Sequence, residues 1–167
     1  RPIKDQIPSF DQHNMPAWRN KFSLLPQGLI LVSGPAGHGK TTTLAAMVDL
    51  INNKRGCNVL TMEDPVEFLF RHKKSNISQR EVGRDTVSFA EGIKHVFRQA
   101  PDVIIVGEMR DRETFEIGLR AANSGHLVIT TVHSDNATSI IERIINMFEP
   151  HQQPLIRLML SDSLLLS

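Results

Sequence analysis

Short apolar runs alternate along the chain with stretches whose apolar residues recur at helical spacing. The first run, Leu29-Ile30-Leu31-Val32, is uninterrupted, as in a strand buried on both faces of a parallel sheet. A glycine-rich turn follows at 34–39. Residues 40–53 then carry Leu44, Met47, Val48 and Ile51 at helical spacing, which predicts a helix. Further strands are predicted at 58–62, 103–106 and 127–132. Ser88 followed by Glu91 has the form of a capping box, opening a helix with Phe89, Ile93, Val96 and Phe97 on one face. Another helix is predicted at 113–123, stopped by Ser124-Gly125. A third, with Asn136 as its cap, carries a stripe of Ile140, Ile141, Ile144, Ile145 and Phe148 and ends before Pro150. Strands alternating with helices specify an α/β fold, a parallel sheet with helices on both faces.

Two stretches stand outside that rhythm. Residues 1–27 hold Pro2, Pro8, Pro16 and Pro26 without a clear period, and read as an extended lead-in with one short helix near 17–22. Residues 68–82 are polar and basic, with Arg71-His72-Lys73-Lys74 at one end, and read as a hairpin outside the sheet.

Composition narrows the class. With 167 residues, 40% of them hydrophobic, the chain can fill one core but not two large ones. Charge is nearly balanced at +1, which argues against a protein built to neutralise nucleic acid or an anionic membrane. Eight Phe and one Trp offer no evident stacking track for a nucleic-acid strand. A single cysteine, Cys57, excludes an internal disulfide and a paired-cysteine zinc site. The longest apolar run, at 44–48, is far short of the roughly 20 residues of a membrane span. No signal peptide is visible, so a reducing, cytoplasmic setting is expected. The start at Arg1 and the apolar end Leu164-Leu165-Leu166 read as cuts, the second inside a helix.

The chemistry is concentrated at strand ends. Gly34-Pro35-Ala36-Gly37-His38-Gly39-Lys40-Thr41 fits G-x-x-x-x-G-K-[ST] between a predicted strand and a predicted helix, the setting of a phosphate-binding loop. Glycines let successive backbone N–H groups converge on phosphate oxygens, and the helix adds its positive end. Lys40 should reach the β- and γ-phosphates of a nucleotide, Thr41 should ligate Mg²⁺, and Thr42 lies beside them. His38 is a solvent-facing filler in this reading, or a phosphate contact. The chain is thus read as a P-loop NTPase with ATP and Mg²⁺ as its cofactors.

Two other strands end in acids. One ends Met62-Glu63-Asp64-Pro65-Val66-Glu67, the other Val106-Gly107-Glu108. Glu108 would hold the Mg²⁺ shell through water, and either Glu63 or Glu67 would serve as base or water-orienting group. The alternative for both is a solvated strand-end acid. His126 precedes the strand at 127–132 and His133 follows it. The position of His133 matches that of Glu63 and Glu108, where it could sense phosphate or steady an acid. His126 is a candidate for the nucleotide site or for bracing a neighbouring chain. Arg98 and Arg110 flank the strand at 103–106, as arginine fingers or as ion pairs.

In order, these segments resemble the secretion ATPases of type IV pili and type II secretion. Four boxes match: the loop at 34–41, the acidic box Thr61 to Glu67, the second acidic box PDVIIVGEMRD at 101–111, and the histidine box SGHLVITTVH at 124–133. Gln79-Arg80-Glu81-Val82-Gly83 and Gly107-Glu108-Met109-Arg110-Asp111 are most similar to the branch that retracts pili. The resemblance implies a RecA-like ATPase domain over 28–167, with 1–27 as an inter-domain linker after a smaller domain. It implies a homo-hexameric ring with ATP between subunits. Partners would be an inner-membrane platform protein and, indirectly, pilin, with no nucleic acid and no direct membrane insertion. The protein would then sit peripherally at the cytoplasmic face of the inner membrane. Pilus assembly or type II secretion by the same fold is the neighbouring possibility, and a non-hydrolysing nucleotide-binding scaffold a further one. Ala100, Asn123-Ser124 and Ser134-Asp135 depart from the family pattern without removing any residue assigned to chemistry.

Overall fold

A computed structural model describes Ile7, residues 18–133 and residues 137–166. Six strands form one sheet in the order β3-β2-β4-β5-β1-β6, and every pairing is parallel. The strands are β1 (Gly28–Ser33), β2 (Asn58–Glu63), β3 (Asn76–Glu81), β4 (Val103–Val106), β5 (Leu127–Val132) and β6 (Leu164–Leu166). The helices are α1 (Trp18–Ser23), α2 (Lys40–Lys54), α3 (Phe89–Val96), α4 (Arg112–Asn123), α5 (Ala137–Asn146) and α6 (Gln153–Ser163).

Strand alternation explains the two apolar layers. Leu29 and Leu31 of β1 point to one face with Leu60, Met62, Ile104, Val106 and Val128, where α3, α4, α5 and α6 pack. Ile30 points to the other with Val59, Ile105 and Ile129, against Leu44, Met47, Val48 and Ile51 of α2. A strand covered on both sides has no polar side to show, which is why these runs are uninterrupted. Helix α4 begins at Arg112, one residue before the predicted start, because the Asp111 carboxylate caps it, accepting from Thr114 N at 2.9 Å. The Ser88 hydroxyl caps α3 through Glu91 N at 3.2 Å. The Glu91 carboxylate takes a hydrogen bond from Lys94 at 3.0 Å. Asn136, the expected cap of α5, lies outside the described residues.

Two expectations are corrected. The segment at 68–82 is not a hairpin outside the sheet. Its second half is β3, the parallel edge strand beside β2, with Asn58 opposite Asn76 and Glu63 opposite Glu81. Fully buried Asn52 of α2 anchors the basic turn that leads into it. Its amide donates to Arg71 O at 2.7 Å, its carbonyl accepts from Lys73 N at 3.1 Å, and its backbone oxygen accepts from Lys74 N at 2.9 Å. The second correction concerns the leucines at the C-terminal end. Helix α6 stops at Ser163, and Leu164–Leu166 run as β6 along the outer edge of β1. Among the described residues no helix is long and apolar enough to cross a membrane.

Gly28 makes the β1–β6 junction possible. Its φ is +124°, and a Cβ there would stand 2.6 Å from the Leu165 side chain and 2.9 Å from Ser163 O. Gly28→Ala is expected to lower stability by about 1–3 kcal/mol, the usual magnitude for a backbone forced into a glycine-only region. A lower urea midpoint at unchanged slope would show it; an unchanged midpoint would contradict it.

Candidate functional site

Parallel strands all end on one edge, so the topology brings the ends of β2, β4, β5 and β1 side by side. Register aligns them closely: Met62 is level with Val106, Val106 with Thr130, and Ser33 with Val132. The residues just beyond therefore meet. They border a cavity of about 800 Å³ lined by the phosphate loop, Glu63, Glu67, Glu108, Arg110 and His133.

The loop leaves β1 through Gly34 and turns at Gly37 and Gly39, both at φ +79°. Gly39 is the N-cap of α2 and brings no side-chain hydrogen bond, so the first N–H groups of the helix are not capped by it. Lys40, Thr41 and Thr42 line the cavity, with Ala36, Gly37 and Gly39. His38 does not: it is exposed, and its Nδ1 lies 3.0 Å from Ala36 O. Lys40 Nζ donates to Gly34 O at 2.7 Å, to Pro35 O at 2.9 Å and to His133 Nδ1 at 3.1 Å.

His133 spans from that lysine to the second acidic box, its Nε2 lying 3.2 Å from Glu108 Oε1. An ammonium only donates, so Nδ1 accepts from Lys40 and the ring proton sits on Nε2, facing the carboxylate. The other Glu108 oxygen accepts from Arg110 Nη2 at 2.6 Å. Partial burial pushes the Glu108 carboxyl up, but the Arg110 hydrogen bond and charge, with His133 and Lys40, outweigh it. The group is held below the usual carboxylate range. A carboxylate and the Thr41 hydroxyl are the hard oxygen donors that Mg²⁺ favours, so this pair fits the ion.

Gly107 separates the end of β4 from Glu108. A Cβ there would press 3.2 Å from Met62 O and 3.4 Å from Glu63 Cα. Its N–H donates to Met62 O at 2.7 Å and its carbonyl accepts from the Thr131 hydroxyl at 2.6 Å. The position is enclosed by backbone contacts, and the acid of this strand end is the next residue, Glu108.

Glu63 is the buried acid of the site, 8% exposed. One oxygen accepts from the Thr61 hydroxyl at 2.7 Å and from Gln79 Nε2 at 3.1 Å. Gln79 is itself held by Phe68 O at 2.8 Å and Phe70 N at 2.9 Å. Burial raises the Glu63 carboxyl above its ordinary value, and hydrogen bonds from Thr61, Gln79 and the Glu67 backbone offset only part of that. Glu67 lines the same cavity and is half-buried.

Two expected residues stand elsewhere in this chain. Arg98 lies on the 3₁₀ turn Phe97–Gln99 before β4, and His126 precedes β5, at the opposite end of the sheet from the phosphate loop. His126 Nδ1 lies 3.1 Å from Ala121 O, and its ring meets Phe97 edge to face at 5.4 Å. Three contributors were given no role from the sequence: Thr61 and Gln79, though both fall in matched segments, and Arg143. Arg143 of α5 donates to His133 O at 3.2 Å. The alternation of β2 puts Thr61 on the side of Glu63, a signal of its role that periodicity makes available.

The sequence profile described as Type II/IV secretion system protein matches residues 10–166. The chain is 44% identical over 164 residues to a Pseudomonas aeruginosa protein named Type IV pilus retractation ATPase PilT, covering 98% of this chain and 48% of that one. It is equally similar, at 44%, to a Neisseria gonorrhoeae protein named Twitching motility protein, again over 98% of this chain and 44% of the relative. The crystal structure of the pilus retraction motor PilT with bound ADP superposes with a TM-score of 0.95 at 47% identity, over 98% of this chain and 48% of that one. The chain thus spans about half the length of the relatives it matches.

The raised Glu63 carboxyl fixes a sign for stability. The folded state holds that proton more tightly than the unfolded chain, so stability falls as pH rises from the ordinary value of 4.5 through the raised one. Glu63→Gln keeps the acceptor for Thr61 and removes the charge. Its melting temperature should exceed that of wild type at pH 7, by a margin that shrinks as pH falls below 4.5. An equal margin at both pH values would contradict the account.

Proposed function

The chain belongs to the Type II/IV secretion system protein family, and from that premise we propose that it is the nucleotide-hydrolysing part of a motor that retracts type IV pili. One observation carries the reading. Lys40, His133, Glu108 and Glu63 come from the ends of four adjacent strands and border one cavity at a phosphate loop. Identity of 44% to the retraction ATPase over nearly the whole chain supports the pilus assignment.

In this reading the loop from Gly34 to Gly39 wraps the phosphates with backbone N–H groups, and α2 contributes its positive end. Lys40 carries positive charge to the β- and γ-phosphates. Thr41 and Glu108 would hold Mg²⁺, which when bound would neutralise charge developing on the phosphate oxygens. Arg110 and His133 keep Glu108 ionised and aimed. Glu63 orients the attacking water and takes its proton. Its environment favours that role, since a carboxyl raised by burial takes up a proton more readily than an exposed one. Glu67 is the second candidate for the same task.

The remaining assignments extend this. Residues 28–167 form the RecA-like ATPase domain and 1–27 the lead-in from another domain. The working form is a homo-hexameric ring with ATP between subunits, in the cytoplasm against an inner-membrane platform protein, moving pilin indirectly. Arg98 and His126, remote from the cavity of their own chain, serve a neighbouring copy. Arg110 is 74% exposed at its side chain and can serve both.

Lys40→Ala is expected to abolish ATP hydrolysis in the full-length protein, measured as phosphate release. Glu63→Gln should slow turnover by ~10²–10⁴-fold, the usual worth of a general base, and Glu67→Gln by much less. A large loss at Glu67 alone would move the role there. Full turnover in both variants would overturn the assignment, and tight binding with no release in wild type would favour a scaffold.

A further inference from the structure

An ammonium group has three N–H donors. Lys40 commits them to Gly34 O, Pro35 O and His133 Nδ1, at 2.7, 2.9 and 3.1 Å. A phosphate can therefore draw Lys40 only by displacing one of these acceptors. Two belong to the loop itself and move with it. His133 is different: it comes from the end of β5, and its far nitrogen is tied to Glu108, which Arg110 holds in turn. Arg143 fixes the His133 backbone from α5.

We infer that His133 is a positioning residue that holds Lys40 back from phosphate, acting as a brake on nucleotide capture. The inference rests on the nucleotide reading above and adds to it a residue that opposes binding. The imidazole ties Lys40 to the Glu108–Arg110 pair. Capture of a phosphate by Lys40 removes the donor from Nδ1, and the ring, Glu108 and the exposed Arg110 are then no longer linked to the loop. The lysine thus reports occupancy to the second acidic box through a broken hydrogen bond.

The sign of this effect separates it from the roles His133 was first given. A histidine that only senses phosphate, or only braces the fold, would weaken binding when removed. The brake predicts the reverse. ADP probes the β-phosphate reach of Lys40, and chelating divalent ions with EDTA takes the Glu108 metal position out of the comparison. In the full-length protein, His133→Ala should bind ADP about threefold to tenfold more tightly than wild type. That range is what a hydrogen bond to a charged group is worth after discount for a half-exposed ring. Damage to folding does not produce a gain in affinity. His133→Ala in a Lys40→Met background should leave ADP affinity unchanged, because the histidine acts through the lysine.

Equal or weaker ADP binding by His133→Ala overturns the brake. So does a gain that survives in the Lys40→Met background. Wild type that binds no ADP overturns the nucleotide reading and the brake together; wild type that binds, with no gain on removing the imidazole, overturns the brake alone.

Discussion

All strands of a parallel sheet finish on the same edge, and this constraint organises everything else in the molecule. Here the neighbours β2, β4, β5 and β1 finish in Glu63, Glu108, His133 and the loop carrying Lys40. These residues are separated by as many as 93 positions in the chain, as His133 is from Lys40. Register makes them adjacent. The two buried layers of Leu, Ile and Val hold that register, because a slip of one residue would turn the alternating side chains onto the wrong faces. The core thus sets distances of a few ångströms at the rim.

At that rim, two acids live under opposite conditions. Glu108 is drawn toward ionisation by Arg110, His133 and Lys40, while Glu63 is pushed toward the protonated form by burial. Environments that drive two carboxyls apart suit one to hold a cation and the other to accept a proton. The separation traces to close packing. Gly107 packs tightly beside Met62 and Glu63, and Glu108 stands one residue further out, where arginine and histidine reach it.

Legibility in the sequence followed the strength of the period. Strands β4 and β5 were readable to the residue, because β4 is a continuous apolar run and β5 is one broken only by Thr130 and Thr131. Strand β3 was not, because at a sheet edge Ile77 is its one buried apolar residue and the rest reads as loop. The leucines of β6 fit a helix as well as a strand, and what decides between them is the open edge of β1, a tertiary fact. The same holds at the site. Lys40, Glu108 and His133 could be found from position, since each follows a clear strand. Gln79 and Arg143 could not, because a polar residue whose work is to orient another leaves no period. The place of His126 before β5, and of Arg98 before β4, sets both at the far end of the sheet.

Asn52 has a mechanical consequence. It sits late in α2, the helix that begins at the phosphate loop, and it fastens the turn at Arg71 to Lys74 through three hydrogen bonds. That turn leads directly into β3, which carries the Gln79 that steadies Glu63. The helix that begins at the glycine-rich loop and the acid across the cavity are therefore tied together through one turn, so the seating of α2 and the hydrogen bonding of Glu63 depend on the same three contacts.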